Sequence, residues 1–370
     1  MTPAEKQEFF YAFSFNLINY LCPMTIDYII VGLGLAGIAF AEELIKQNKS
    51  FVVFEDDSQN SSLVAGGMYN PVILKRFTPV WNAKEQLETA LPFYDHLETK
   101  LGETYHHQVD IYRTFKSVEE QNNWFTACDK LLLQDYMDPE LVKNNNKFIN
   151  APYGSGKLRQ TGRVDVNKLA KDYRSFLKKQ HALVESKFEY DQLMFFDDYI
   201  AYQDFKAGKI VFCEGFGLKE NPFFNQLPMQ EVKGELITIH APDLKVDYLI
   251  KSAVFVLPIG YDLYKVGATF NWKDKTKSPT VAGKEELELK LRDVINCDYQ
   301  IVGHSAGIRP TVKDRRPMLG MHPKYTQMAI LNGLGTRGVM VAPLMAIKLF
   351  QHIENGKPLD EEISIKRFDK

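Results

Sequence analysis

The chain is poor in everything that would build a metal centre or a disulfide framework. Its four cysteines, Cys22, Cys128, Cys213 and Cys297, are scattered, with no C-x-x-C pair and no zinc spacing, which excludes a redox dithiol and a structural zinc site. With no export signal they read as reduced thiols of a cytoplasmic protein. Charge of one sign is lacking too: 45 Lys and Arg stand against 47 Asp and Glu, a net charge of −2. No basic field is left over to draw nucleic acid or an anionic membrane, so neither is expected as a partner. There is no internal repeat, no low-complexity linker and no His or carboxylate constellation at ligand spacing, so no metal is expected. Long hydrophobic runs are also missing. The apolar leader "FFYAFSFNLINYLC" (residues 9–22) is shorter than a bilayer crossing and lacks a basic flank or a cleavage site. Because "MTIDYIIVG" (residues 24–32) is a typical beginning for a nucleotide-binding domain, Met24 is read as the start. Residues 1–23 are then an upstream extension, with an interfacial anchor helix as the alternative reading.

What the chain does have is 370 residues that are 45% apolar and 25% charged, the mix of a soluble protein with room for two domains. In "TIDYIIVGLGLAGIAFAEEL" (residues 25–44) an Ile- and Val-rich run gives way to glycines and then to a helical pattern. Gly32, Gly34 and Gly37 fit G-x-G-x-x-G between a strand and a helix, with Leu35 and Ala36 at the helix start. The first glycine allows the tight turn, the second lets the backbone approach a pyrophosphate, and the third permits close helix–strand contact. The helix N-terminus then offers free N–H groups to the phosphates. Glu55, ending the next strand, is placed to accept both hydrogen bonds of a ribose diol and argues against a 2′-phosphate. It does not separate NAD from FAD.

Residues 83–147 read as charged, aromatic and mostly helical or irregular, with "KNNNK" as a surface turn. Short strands return at 209–213, and alternating stretches at 232–240 and 253–270 suit an antiparallel sheet. "KEELELKLR" (residues 284–292) reads as a solvated helix. A glycine-rich turn at 332–338 opens into an apolar helix over 339–352. Gly333, Gly335 and Gly338 would let the backbone come close to a flat ring, with the positive end of that helix directed at it. The α/β text alternating with antiparallel text predicts two interwoven domains.

Three stretches, "SSLVAGGMYNP" (61–71), "AGIRPTVKDRRPMLG" (306–320) and "NGLGTRGVMVAP" (332–343), follow the glycine loop in an order that resembles the FAD-dependent amino-acid oxidases. That family includes glycine oxidase, D-amino-acid dehydrogenase, sarcosine oxidase and the oxidase half of an enzyme that modifies wobble uridine in tRNA. The resemblance covers residues 24–369 and implies a Rossmann-like FAD domain (24–88, 152–222 and 302–370) interwoven with an antiparallel substrate domain (89–151 and 223–301). It would place Ser61, Ser62, Gly66, Gly67 and Met68 along the cofactor. Gly333, Gly335, Thr336, Arg337, Gly338, Val339 and Met340 would lie at the pyrimidine edge of the flavin, although Arg337 also reads as a surface residue. Arg309 of "G-I-R-P" would form a two-pronged pair with a substrate carboxylate. Sarcosine-oxidase-like members attach flavin to a cysteine at that motif. None stands there here, so FAD is expected to be non-covalent.

Weaker candidates are Lys75 and Arg76, read as a solvated pair; Tyr261 and Tyr264, read as core or surface; and His304, near Arg309. Arg315 and Arg316 are expected in solvent, in a turn organised by Asp314 and Pro317. The implied reaction is oxidation of the C–N bond of an amino acid or N-substituted glycine by hydride transfer to flavin N5, with hydrolysis of the imine and reoxidation by O₂ or a quinone-linked acceptor. The other readings are oxidation of a glycine-like side chain on tRNA, a non-catalytic flavin-binding protein, and an NAD-dependent dehydrogenase. The last would not need the second glycine-rich turn. A homo-oligomer is compatible with all of them.

Overall fold

The computed structural model describes residues 23–56, 64 and 66–369. The expected N-terminal extension, apart from Pro23, and the two candidates Ser61 and Ser62 lie outside the described residues.

The first sheet is built around the strand Met24–Val31, with Phe51–Phe54 parallel on one side and Phe205–Phe212 parallel on the other. Leu183–Val184 forms one edge in parallel, Met328–Asn332 also joins in parallel, and antiparallel strands follow on the other side. Ile29 and Ile30 are fully buried although they point to opposite faces, which is why this strand is apolar throughout rather than alternating. The helices Leu35–Lys46, Ala83–Leu101 and Gly338–Asn355 pack together on one side. The Tyr94 hydroxyl ties the second to the third by donating to the Val339 carbonyl at 2.8 Å. None of the helices in the described residues is long and apolar enough to cross a membrane.

The second sheet runs Gln300–Val312, Met229–His240, Leu263–Gly267, Phe255–Gly260, Leu249–Lys251, Ile111–Thr114, Ser155–Leu158, Met137–Val142. It is antiparallel except where 249–251 meets 111–114. Strand alternation divides its residues. Ile237, Val266, Val256 and Ile250 form a core with Leu287 and Leu291 of the helix Val281–Arg292. Leu236, Phe255 and Arg309 face the other way, toward the first sheet.

Several expectations are corrected. The helix read as solvated at 284–292 buries a leucine stripe, Leu287 and Leu291 being four residues apart on one face. Residues 83–147 are mostly helical or irregular as read, and also contribute the short strands 106–108, 111–114 and 137–142. The strands Ser155–Leu158 and Gln300–Val312 hydrogen-bond within the second sheet, although most of their residues were assigned to the cofactor domain. Arg316 is not free in solvent: it pairs with Glu362 at 3.2 Å and lies over the Trp81 ring. Arg315 is exposed as expected.

Candidate active site

Between the two sheets lies a cleft of about 410 Å³. Its first wall is the glycine loop. Gly32 sits at φ 95°, and a Cβ there would come within 2.7 Å of the Cys213 carbonyl oxygen. A Cβ on Gly37 would lie 2.0 Å from the Gly32 oxygen, so Gly37 is where helix and loop touch; it does not border the cleft. Gly34, Leu35 and Ala36 do border it. The helix Leu35–Lys46 has no side-chain cap and no acidic residue in its first turn, so its leading N–H groups are left for an anion. The Glu55 carboxylate accepts from the Leu33 amide and borders the same space. Residues 186–188, Tyr190 and Glu214 line the cleft beyond it. Burial, reinforced by Glu220 and Asp56, pushes the Glu214 carboxyl up to about 7 against the hydrogen bonds from Asn221 and Tyr190.

The next wall carries Gly66, Gly67 and Met68, with Gly335, Thr336, Gly338 and Val339 across from them. The helix Gly338–Asn355 also starts without a side-chain cap or an acidic first turn. Gly333, Arg337 and Met340 do not border the cleft. Met340 is wholly buried in the core, and burial together with Arg315 lowers the Arg337 pKa.

The third wall is the second sheet. Arg309 reaches across the neighbouring strand: its guanidinium lies over Gly234, donates from Nη1 to the Thr269 carbonyl at 3.2 Å and stacks on the Phe270 ring at 4.6 Å. Burial pushes its pKa down to about 10, and no carboxylate pairs with it among the described residues. His304 does not share this space. On the opposite face of the sheet it pairs with Glu235 at 2.8 Å. Glu235 lies 3.7 Å from the fully buried Lys233, which is held by Asp274 and Ser278. Lys75 and Arg76 are exposed, Tyr261 is exposed, and Tyr264 is core. Glu214, Lys251, Phe255 and Phe270 border the cleft and were not singled out from the sequence. A lysine standing inside the apolar text "YLIKSAVFV" was the one local signal among them.

A dinucleotide cradle on one sheet, opened toward an antiparallel wall, is the arrangement of an oxidoreductase with a large redox cofactor. The chain belongs to the FAD dependent oxidoreductase family, whose model matches residues 27–351, and FAD is its cofactor. It is 23% identical to the glycine oxidase of Bacillus subtilis (strain 168), covering 93% of this chain and 97% of that protein. It is 21% identical to the tRNA 5-methylaminomethyl-2-thiouridine biosynthesis bifunctional protein MnmC of Marinobacter nauticus, over 88% of this chain and 55% of that protein. The fold is that of glycine oxidase from Geobacillus kaustophilus, with a TM-score of 0.74 at 18% identity over 91% of this chain and 97% of the other. The cradle fits the cofactor: the Gly32, Gly34 and Ala36 rim of the cleft, the uncapped helix starts and the Glu55 carboxylate are what a pyrophosphate and a ribose require.

Proposed function

We propose that this protein oxidises the C–N bond of an amino acid or N-substituted glycine, with Arg309 holding the substrate carboxylate. The observation that supports this reading is the state of Arg309: half-buried, oriented by Thr269 and Phe270, open to the cleft and without a carboxylate partner among the described residues. A half-buried guanidinium without an anion gains from one brought to it, and a two-pronged carboxylate is the ligand whose shape matches it. FAD, when bound, supplies the acceptor for the hydride of the α-C–H, leaving an imine that water hydrolyses.

The residues of the chain contribute binding and orientation. Gly32, Gly34, Leu35, Ala36 and Gly37 shape the pyrophosphate cradle, and Glu55 takes the ribose. Gly66, Gly67 and Met68 flank the ring, and the segment 335–339 directs a helix N-terminus at its pyrimidine edge. Arg309 fixes the carboxylate, so the α-carbon is presented in one orientation and positioning supplies much of the acceleration. Among the described residues no carboxylate or imidazole pairs with Arg309, which fits a substrate amine that enters neutral. FAD is held without a covalent bond, and dioxygen or a quinone-linked chain takes the electrons. The similarity to MnmC favours a second reading, a glycine-like group on a larger molecule; Arg309 would serve the same carboxylate there.

Arg309→Ala and Arg309→Lys test the proposal. Loss of two charge-assisted hydrogen bonds is worth about 3–4 kcal/mol, so kcat/KM is expected to fall roughly 10²- to 10³-fold. The ratio of flavin to protein absorbance should stay at the wild-type value. Variants that retain both FAD and full turnover would remove Arg309 from the role.

A further inference from the structure

Lys251 is the other cation on the cleft wall of the second sheet. It pairs across the sheet with Phe255, which pairs with Gly267; these positions therefore share a face with Leu236. Its ammonium leans over the Phe255 ring at 5.8 Å, and no hydrogen bond or ion pair engages it among the described residues. The strand neighbour Arg113 does not compete for a ligand, being bonded by Nε to Glu120 at 3.0 Å and by Nη1 to the Ser252 carbonyl at 3.2 Å. Burial, with Arg113 and Lys290 adding repulsion, pushes the Lys251 pKa down to about 8. An ammonium in that position gains from any anion brought to it.

The sheet register sets the distance between the two cations. The Arg309 guanidinium has crossed to the carbonyl of Thr269, two residues beyond Gly267 on the strand line that neighbours Phe255. With strands about 4.8 Å apart and about 3.3 Å of rise per residue, Lys251 and Thr269 stand about 12 Å apart on the sheet, and the lean of the ammonium over Phe255 brings the two charged heads to roughly 10 Å. Between them the floor is apolar, formed by Leu236 and Phe255. Two carboxylates joined by a short chain span such a gap, each meeting its cation at hydrogen-bond distance.

We propose that Lys251 is a second anion anchor, and that the preferred substrate is an amino acid whose amine or side chain carries a second carboxylate. Arg309 takes the carboxylate next to the reacting carbon and Lys251 takes the distal one. This rests on the reading of Arg309 given above.

The test uses purified holoenzyme and two ligands that cannot be oxidised, glutarate and butyrate, titrated against the visible spectrum of the flavin. Glutarate is expected to bind at least tenfold more tightly than butyrate. Lys251→Gln should abolish that advantage while leaving butyrate unchanged, and Lys251→Arg should restore it. Among substrates, N-(2-carboxyethyl)glycine should exceed N-propylglycine in kcat/KM in the wild type and lose that lead in Lys251→Gln. If butyrate binds through Arg309 but glutarate is no tighter, or if Lys251→Gln weakens both equally, the second anchor is refuted and the Arg309 reading stands. If neither ligand perturbs the flavin and Arg309 variants behave as wild type, the carboxylate site itself is refuted and the second anchor falls with it.

Discussion

Replacing Gly234 by alanine perturbs Arg309 without touching its charge. A Cβ built on Gly234 lies 1.9 Å from Nη2, 2.2 Å from Cζ and 2.4 Å from Nη1 of that arginine. Restoring ordinary contact, about 3.5 Å, requires the guanidinium to move by about 1.5 Å. The hydrogen bond to Thr269 and the stack on Phe270 then cannot both survive at 3.2 Å and 4.6 Å. A substrate held by the displaced head is misplaced by a similar amount, and an error of that size costs roughly 10²-fold in rate, about 2.7 kcal/mol. The colliding atoms are the far end of a flexible side chain and Gly234 has no positive φ, so stability should change by only about 0.5 kcal/mol. Steady-state kinetics on an amino acid substrate, with thermal unfolding as control, measures both quantities. Combined with Arg309→Ala, Gly234→Ala should cost almost nothing further, because the group it displaces is already gone. Full additivity in the double variant, or an unchanged kcat/KM in Gly234→Ala alone, would refute the placement of Arg309 as the carboxylate site.

Gly37→Ala should cost the apoprotein roughly 2 kcal/mol or more, because its Cβ meets backbone that cannot step aside, and FAD should be lost on gel filtration. Glu55→Gln should weaken FAD about tenfold in fluorescence titrations while leaving the apoprotein's melting temperature close to wild type. Glu214 is protonated in the fold where it would be ionised in the unfolded chain, since its pKa is raised from 4.5 to about 7. Its contribution to apoprotein stability is present below about pH 4.5 and is lost as pH rises to about 7. Urea titrations should therefore show Glu214→Gln gaining on wild type by about 3 kcal/mol between those limits. Acid precipitation should release FAD into the supernatant, as expected of a cofactor held without a covalent bond.

The cofactor cradle was legible because its signals are local. A buried strand, three glycines, a helix and a closing carboxylate lie within residues 24–55, and each is dictated by neighbours in the chain. Arg309 was legible through its motif. Its setting was not: Gly234, Thr269 and Phe270 come to it from two other strand lines, through a register that no local pattern encodes. Lys251 escaped for the same reason, since only sheet alternation and the placement of the Leu249–Lys251 strand turn it toward the cleft. His304 shows the reverse error. Five residues from Arg309 in the chain, it points to the opposite face, where Glu235 holds it.

The central proposal is that FAD in this cleft receives the α-C–H hydride of an amino acid whose carboxylate is held at Arg309. The most direct measurement is the anaerobic visible spectrum of the holoenzyme before and after addition of glycine, sarcosine, D-alanine, D-proline and N-(2-carboxyethyl)glycine in turn. The account predicts that the flavin bands bleach with at least one of them, and that they bleach far more slowly or not at all in Arg309→Ala. A fully loaded flavin that none of these compounds bleaches, or one that bleaches equally fast without Arg309, would contradict it.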